Sequence, residues 1–178
     1  MTPLRTLLWL VLGALVIGAV FAYPQLPASV PQNIGADGRA GGFVPRSPYA
    51  WGMPVLMAVA IFAGLEWVRT QLPHRPALFN FSGKEQLQRL PVEYRGGVIA
   101  RMQRFMDVVN LQVVCTFVLI QWMLWRGAHG ATSETLTVAL LVLSPAMIVV
   151  AGLGVSGIQN ELDRAQRAYD SRRHPQRP

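Results

Sequence analysis

The stretch LTVALLVLSPAMIVVAGLGVSGI, residues 136–158, runs through twenty-three positions without one Asp, Glu, Lys or Arg. A helix needs about 20 largely apolar residues to cross a hydrocarbon layer roughly 30 Å thick. An ionised group inside that layer costs on the order of 3 kcal/mol or more, so a charge-free run of this length points to lipid as its solvent. Three further runs, residues 4–23, 48–68 and 106–125, are largely apolar over a similar length. Ser47 before Pro48 has the form of an N-cap followed by proline in the first helical turn, and Ser133 before Glu134 is a second start signal. Trp9 and Tyr23, Trp51 and Trp67, and Trp122 and Trp125 fall toward run ends, where an aromatic belt is expected.

Composition agrees. Hydrophobic residues make up 52% of the 178 and charged residues 14%, against about 25% charged in an average globular protein; the mean hydropathy is +0.32. The formal charge of +7 is no sign of nucleic-acid binding, because the basic residues lie in connections and a tail rather than on an aromatic-interleaved face of a soluble module. Cys115 is the only cysteine, which excludes an internal disulfide and a cysteine zinc site.

Arginine placement predicts the orientation. Arg39, Arg46 and Arg126 fall between the first and second runs or the third and fourth. The other thirteen Lys and Arg lie in the N-terminus, the second connection and the tail. That bias puts both termini and the second connection in the cytoplasm of a bacterial inner-membrane protein, and an even number of spans agrees with four. Arg5, the apolar run and Val20-Phe21-Ala22 also have the form of a signal peptide. The run is as long as a full span and Pro24 follows at once, so retention is the expectation, with cleavage leaving three spans.

Within the spans, Ala14 and Gly18, Ala60 and Gly64, and Gly152 and Ser156 are small residues four apart, which serve close helix packing within a chain or, in the sharper reading, a homodimer face. Asp107, Asn110 and Gln121 share nearly one face of the third span, the arrangement of interhelical hydrogen bonding or of a polar path. Pro54 and Pro145 are expected to bend their helices. Gly152-Leu153-Gly154-Val155-Ser156-Gly157 matches G-x-G-x-x-G, but that fingerprint works only in a turn between strand and helix, not in a lipid-length run.

Two connections remain as carriers of function. The second contains Ser82-Gly83-Lys84-Glu85, a capping-box spacing, and then Leu87, Leu90, Tyr94, Val98, Met102 and Phe105 at helical intervals. Pro91 is expected to break the first helix and begin another, an amphipathic helix that leads into the third span and lies along the inner leaflet, with Lys84, Arg95, Arg101 and Arg104 meeting anionic headgroups. The first, residues 24–47, is rich in Pro and Gly and is expected to be an ordered external loop that folds back on the helices. Tyr23-Pro24-Gln25-Leu26-Pro27, Val30-Pro31, Gly38, Phe43 and Arg46 resemble the unknown-function domain at the N-terminus of Sdp-type toxin-immunity membrane proteins. The resemblance covers about residues 5–68. It departs from that family at Asn33-Ile34, where His-Phe is usual, and at Arg46, where Lys is usual. It implies a membrane role of the immunity or signalling kind, with Leu26, Pro27, Pro31, Asn33, Gly38, Phe43 and Arg46 as the candidate recognition motif.

The organisation expected is all-α: a four-span transmembrane helix bundle with a cytoplasmic amphipathic helix. Residues 1–68 form the unknown-function membrane domain, 69–105 the cytoplasmic connection, 106–160 spans three and four, and 161–178 a helix extension with a basic tail. His74, His129 and His174 lie in three different segments, and no nucleophile or metal set gathers on one side, so neither an enzyme nor a cofactor is expected. The expected partners are the lipid bilayer and either a second copy or another membrane protein. A small carrier or transporter subunit is the alternative.

Overall fold

The computed structural model describes residues 2–75, 83–132 and 134–173. The start signals expected at Ser82 and Ser133, and His174, fall outside the described residues. Among the described residues, five α-helices and one hairpin follow in order: α1 Pro3–Ala22, a 3-10 turn Tyr23–Gln25, β1 Ser29–Ile34, β2 Ala40–Pro45, α2 Pro48–Gln71, α3 Lys84–Arg89, α4 Val92–Ala128 and α5 Glu134–Arg173. Four of the helices, α1, α2, α4 and α5, are long and apolar enough to cross a membrane. The all-α class holds, and the chain has the build of a multi-pass integral membrane protein. The chain divides into two compact units, residues 1–63 with 110–147 and residues 64–109 with 148–178.

In the first unit, Thr2 caps α1 by accepting from the Arg5 amide at 3.4 Å, with Pro3 in the first helical position where no donor is needed. Leu8, Leu12, Leu15 and Ala19 repeat at four, three and four residues, so they share one face, and they bury against Val55, Ala58, Phe62 and Val114. Trp9 meets Phe62 edge to face with ring centres 4.7 Å apart. The opposite face of α1 stays open, with Leu10 65% and Phe21 71% exposed. In water such a face is an aggregation liability; in lipid it is the ordinary outside of a span. Ser47 caps α2 as expected, its hydroxyl accepting from the Ala50 amide at 3.1 Å.

Trp51 corrects the belt reading. It is buried, and its indole N–H donates to the Ala19 carbonyl at 2.8 Å. Pro54, three residues on, withholds the amide that would bond the Ala50 carbonyl.

The first connection is also more regular than a folded-back loop. Residues Ser29–Ile34 and Ala40–Pro45 pair antiparallel, Val30 opposite Val44 and Pro31 opposite Phe43. Short strands carrying Pro and Gly have weak β propensity. A two-stranded hairpin is at best marginal alone, and this one stands on a core of Leu26, Val30, Trp51 and Leu124.

In the second unit, Leu72, Leu87, Leu90, Val98, Met102, Met106, Ile158 and Leu162 form one core. The apolar row expected to lie along the inner leaflet is packed in protein instead, covered by the end of α2 and by α5 rather than by lipid. No proline interrupts residues 92–128, so the amphipathic segment and the third span are a single 37-residue helix, α4. Segments 69–105 and 161–173, separate in the sequence, contribute to the same core.

Candidate functional site

The hairpin is held at three places. At its tip the Gly35 amide donates to Arg39 O at 2.8 Å and the Gly38 amide to Gly35 O at 2.9 Å. Gly38 has φ +73, a conformation that costs a residue with a side chain. Asp37 accepts from the Arg39 amide at 3.1 Å, and the two side chains form an exposed ion pair at 3.8 Å. Midway, the Asn33 amide lies across Gly41 and Gly42. A Cβ on Gly41 would stand 2.8 Å from Asn33 Oδ1, and Gly42 has φ +62. At the base, Arg46 donates to the Leu26 carbonyl at 2.6 Å, its guanidinium stands 5.6 Å from the centre of the Tyr23 ring, and its amide donates to Ala28 O at 2.8 Å. Of the residues expected to form the motif, Leu26, Pro31 and Gly38 are buried supports and Pro27 is half-buried, while Asn33, Phe43 and Arg46 are exposed.

The sequence reading missed the floor beneath the hairpin. A Cβ on Gly127 of α4 would come 2.8 Å from the Ala40 methyl and 3.3 Å from Ile34. His129 closes the same end: one ring nitrogen is 2.8 Å from Trp125 O and the other 3.3 Å from Gln25 O. Gly41-Gly42 signalled the close approach of Asn33; Gly127, alone at a helix end, carried no such sign. Gly127→Val should lift the hairpin off α4. Overpacking of this kind costs about 1–3 kcal/mol, read as a lower midpoint in detergent unfolding and faster proteolysis at residues 35–39.

The polar row of α4 is used in packing. Asp107 pairs with Arg69 Nε at 2.7 Å, and Arg69 also reaches Glu66 at 3.7 Å. Asn110 donates to Phe62 O at 3.5 Å and Gln121 to Trp51 O at 3.2 Å. Gln112, outside the expected row, donates to Leu143 O at 3.1 Å. Thus one amide after another is spent on a neighbouring helix's carbonyl, and the acid on an arginine.

The four basic residues assigned to headgroups differ among themselves. Arg95 folds back, donating to Leu90 O at 2.7 Å and Gln88 O at 2.9 Å, so it staples the end of α3 and is not free for lipid. The guanidinium of Arg101 lies against α5 where Gly157 leaves room, its NH2 2.6 Å from where a Cβ would stand. Arg104 is exposed and Lys84 half-buried.

Among the described residues, the small-residue pairs do not pack within the chain. Ala14, Gly18, Ala60, Gly64, Gly152 and Ser156 are all exposed, and a Cβ on any of the three glycines would meet nothing within 4 Å. In the fourth span it is instead Gly154, against Phe105, and Gly157, against Arg101, that are in contact.

Residues 9–58 match the family model described as a domain of unknown function, DUF1648. The match runs from Trp9 in α1 through the hairpin to Ala58 in α2, all within the first unit. No curated protein and no solved structure matches the chain.

Proposed function

We propose that this chain is a non-enzymatic protein of the bacterial cytoplasmic membrane that recognises a partner through its hairpin. The role would be accessory, sensing or immunity-like, of the kind the Sdp-type resemblance implies. In this reading both termini lie inside and the hairpin outside, which the arginine distribution supports. The observation that carries the reading is the contrast within residues 23–47. The base is fastened by Arg46, Leu26 and Val30, while Asn33, Asp37, Arg39 and Phe43 are presented in the open. A rigid support under exposed, mixed polar and aromatic side chains is the form of a recognition loop. Arg101 and Arg104 face anionic headgroups at the inner side.

The carrier alternative draws on Asp107, Asn110 and Gln121, and the partners described above give those residues a packing role instead. A second copy of the chain is a further partner in this reading, since the small-residue pairs are turned outward.

Alkaline phosphatase fused after residue 37 should be active and after residue 84 inactive; the reverse pattern removes the external hairpin. The decisive comparison is complementation of a deletion strain scored for toxin and envelope-stress sensitivity. Wild-type protein should restore resistance, and the pair Asn33→Ala with Phe43→Ala should not, at equal membrane level and unfolding midpoint. Full restoration by that variant eliminates recognition through the hairpin.

A further inference from the structure

A slot in the first unit lies beside the hairpin. One wall is residues 32–36, the end of β1 and the start of its turn; the floor is Ile120, Met123 and Leu124 of α4; the far wall is Thr137, Leu140 and Leu141 at the start of α5. Successive side chains leave a strand on opposite faces. A cavity lined by five consecutive residues on the β1 side and by none of β2 therefore runs along the edge of the strand, not across the face of the sheet. That edge is unpaired among the described residues, since the sheet has two strands. The Gly35 amide turns inward to Arg39 O at 2.8 Å, so the backbone amide and carbonyl of Ile34, one residue earlier, point outward. Among the described residues they make no hydrogen bond outside the hairpin.

An apolar floor with a strand edge on one side and a helix on the other is the arrangement that accepts an extended peptide as an added strand. A lipid chain carries neither donor nor acceptor for the Ile34 amide and carbonyl, and covering such groups unpaired is costly. A second copy cannot bring β1 edge to β1 edge, because in each copy that edge faces its own α5. The outer edge of its β2 is no better, being bent at Gly42, with φ +62, and ending on Pro45, which has no amide to give. Charge sets the rest. None of the described residues lining the slot is charged, whereas Asp37 and Arg39 stand exposed just past its end, at the hairpin tip. We propose that the partner of the hairpin enters this slot as a single extended segment, uncharged over the residues that pair with β1. The proposal rests on the reading of the hairpin as a recognition element.

The test uses the full chain in phosphatidylcholine nanodiscs and two fluorescein-labelled octapeptides of alternating serine and valine, one plain and one N-methylated at every residue, read by fluorescence polarisation. The plain peptide should bind saturably. Its twin, which cannot donate to Ile34 O, should bind at least about five-fold more weakly, the factor one neutral hydrogen bond supplies. Ile34→Pro removes the outward amide of an edge strand and should weaken the plain peptide by a similar factor. Leu141→Trp enlarges a wall residue that is 64% exposed and lies outside the hairpin; it should abolish saturable binding, and it decides the matter if Ile34→Pro does not fold. Equal binding of the two peptides, or binding that survives Leu141→Trp, overturns the slot. Saturable binding of neither peptide leaves it to lipid, and a wild-type dimer that Leu141→Trp makes monomeric gives it to a second copy; both overturn it equally. Complementation separates this from the hairpin reading. Resistance lost in Asn33→Ala with Phe43→Ala but kept in Leu141→Trp removes the slot alone, whereas resistance kept in both removes the hairpin reading as well.

Discussion

Asp107→Ala is expected to cost about 3–5 kcal/mol of stability, the range for removing one member of a buried ion pair. Asp107 is 4% exposed and its carboxylate is 2.7 Å from Arg69 Nε. The side chain of Arg69 is itself 18% exposed, and its other acidic neighbour, Glu66, stands farther off at 3.7 Å. The loss arises less from the attraction forfeited than from the guanidinium left without its nearest counter-charge in a poorly solvated place. Asp107→Ala combined with Arg69→Met should therefore cost less than Asp107→Ala alone, because the stranded charge goes as well. Urea does little to a membrane core, so the measurement is an SDS titration from dodecylmaltoside micelles followed by tryptophan fluorescence. A double variant less stable than the single one would mean that Arg69 is held chiefly by other partners.

That pair also shows what the sequence could and could not disclose. Asp107 was legible as polar in a span, but nothing in the chain said that residues 69 and 107 would meet. Spans were legible because hydropathy is a one-body property, read from each segment by itself. Register between segments is a two-body property, and it decided most of what was missed. The row Leu87, Leu90, Val98 and Met102 was correctly seen as one apolar face; whether lipid or protein covers that face depends on Ile158 and Leu162, which lie some sixty residues on. Trp51 sat near a span end, the usual place for a belt residue, yet the Ala19 carbonyl of another helix takes its N–H and draws it inside. The hairpin was hidden for a third reason. Its strands owe their stability to Trp51 and Leu124 beneath them rather than to their own propensity.

Register is also what the second large effect tests. Gly154→Val should destabilise the second unit by at least the roughly 1–3 kcal/mol usual for overpacking, because even the first carbon of a side chain at Gly154 falls on the Phe105 ring. The near atoms include Phe105 Cγ, so relief needs the whole ring to turn rather than the far end of a flexible chain. Gly152→Val is the internal control. It lies two residues earlier in the same G-x-G-x-x-G run, where a Cβ meets nothing within 4 Å, and exchanging an exposed helical glycine for a side chain is neutral or gains a few tenths of a kcal/mol. Phe105→Leu should recover part of the loss in Gly154→Val and none in Gly152→Val, since only Gly154 and Phe105 occupy the same space. SDS unfolding midpoints of the four variants separate the cases. If Gly152→Val proves the more damaging, α5 is rotated by about 200° from the face assigned here, two residues at 100° each. The outward-turned pair Gly152 and Ser156 would then be the packed one.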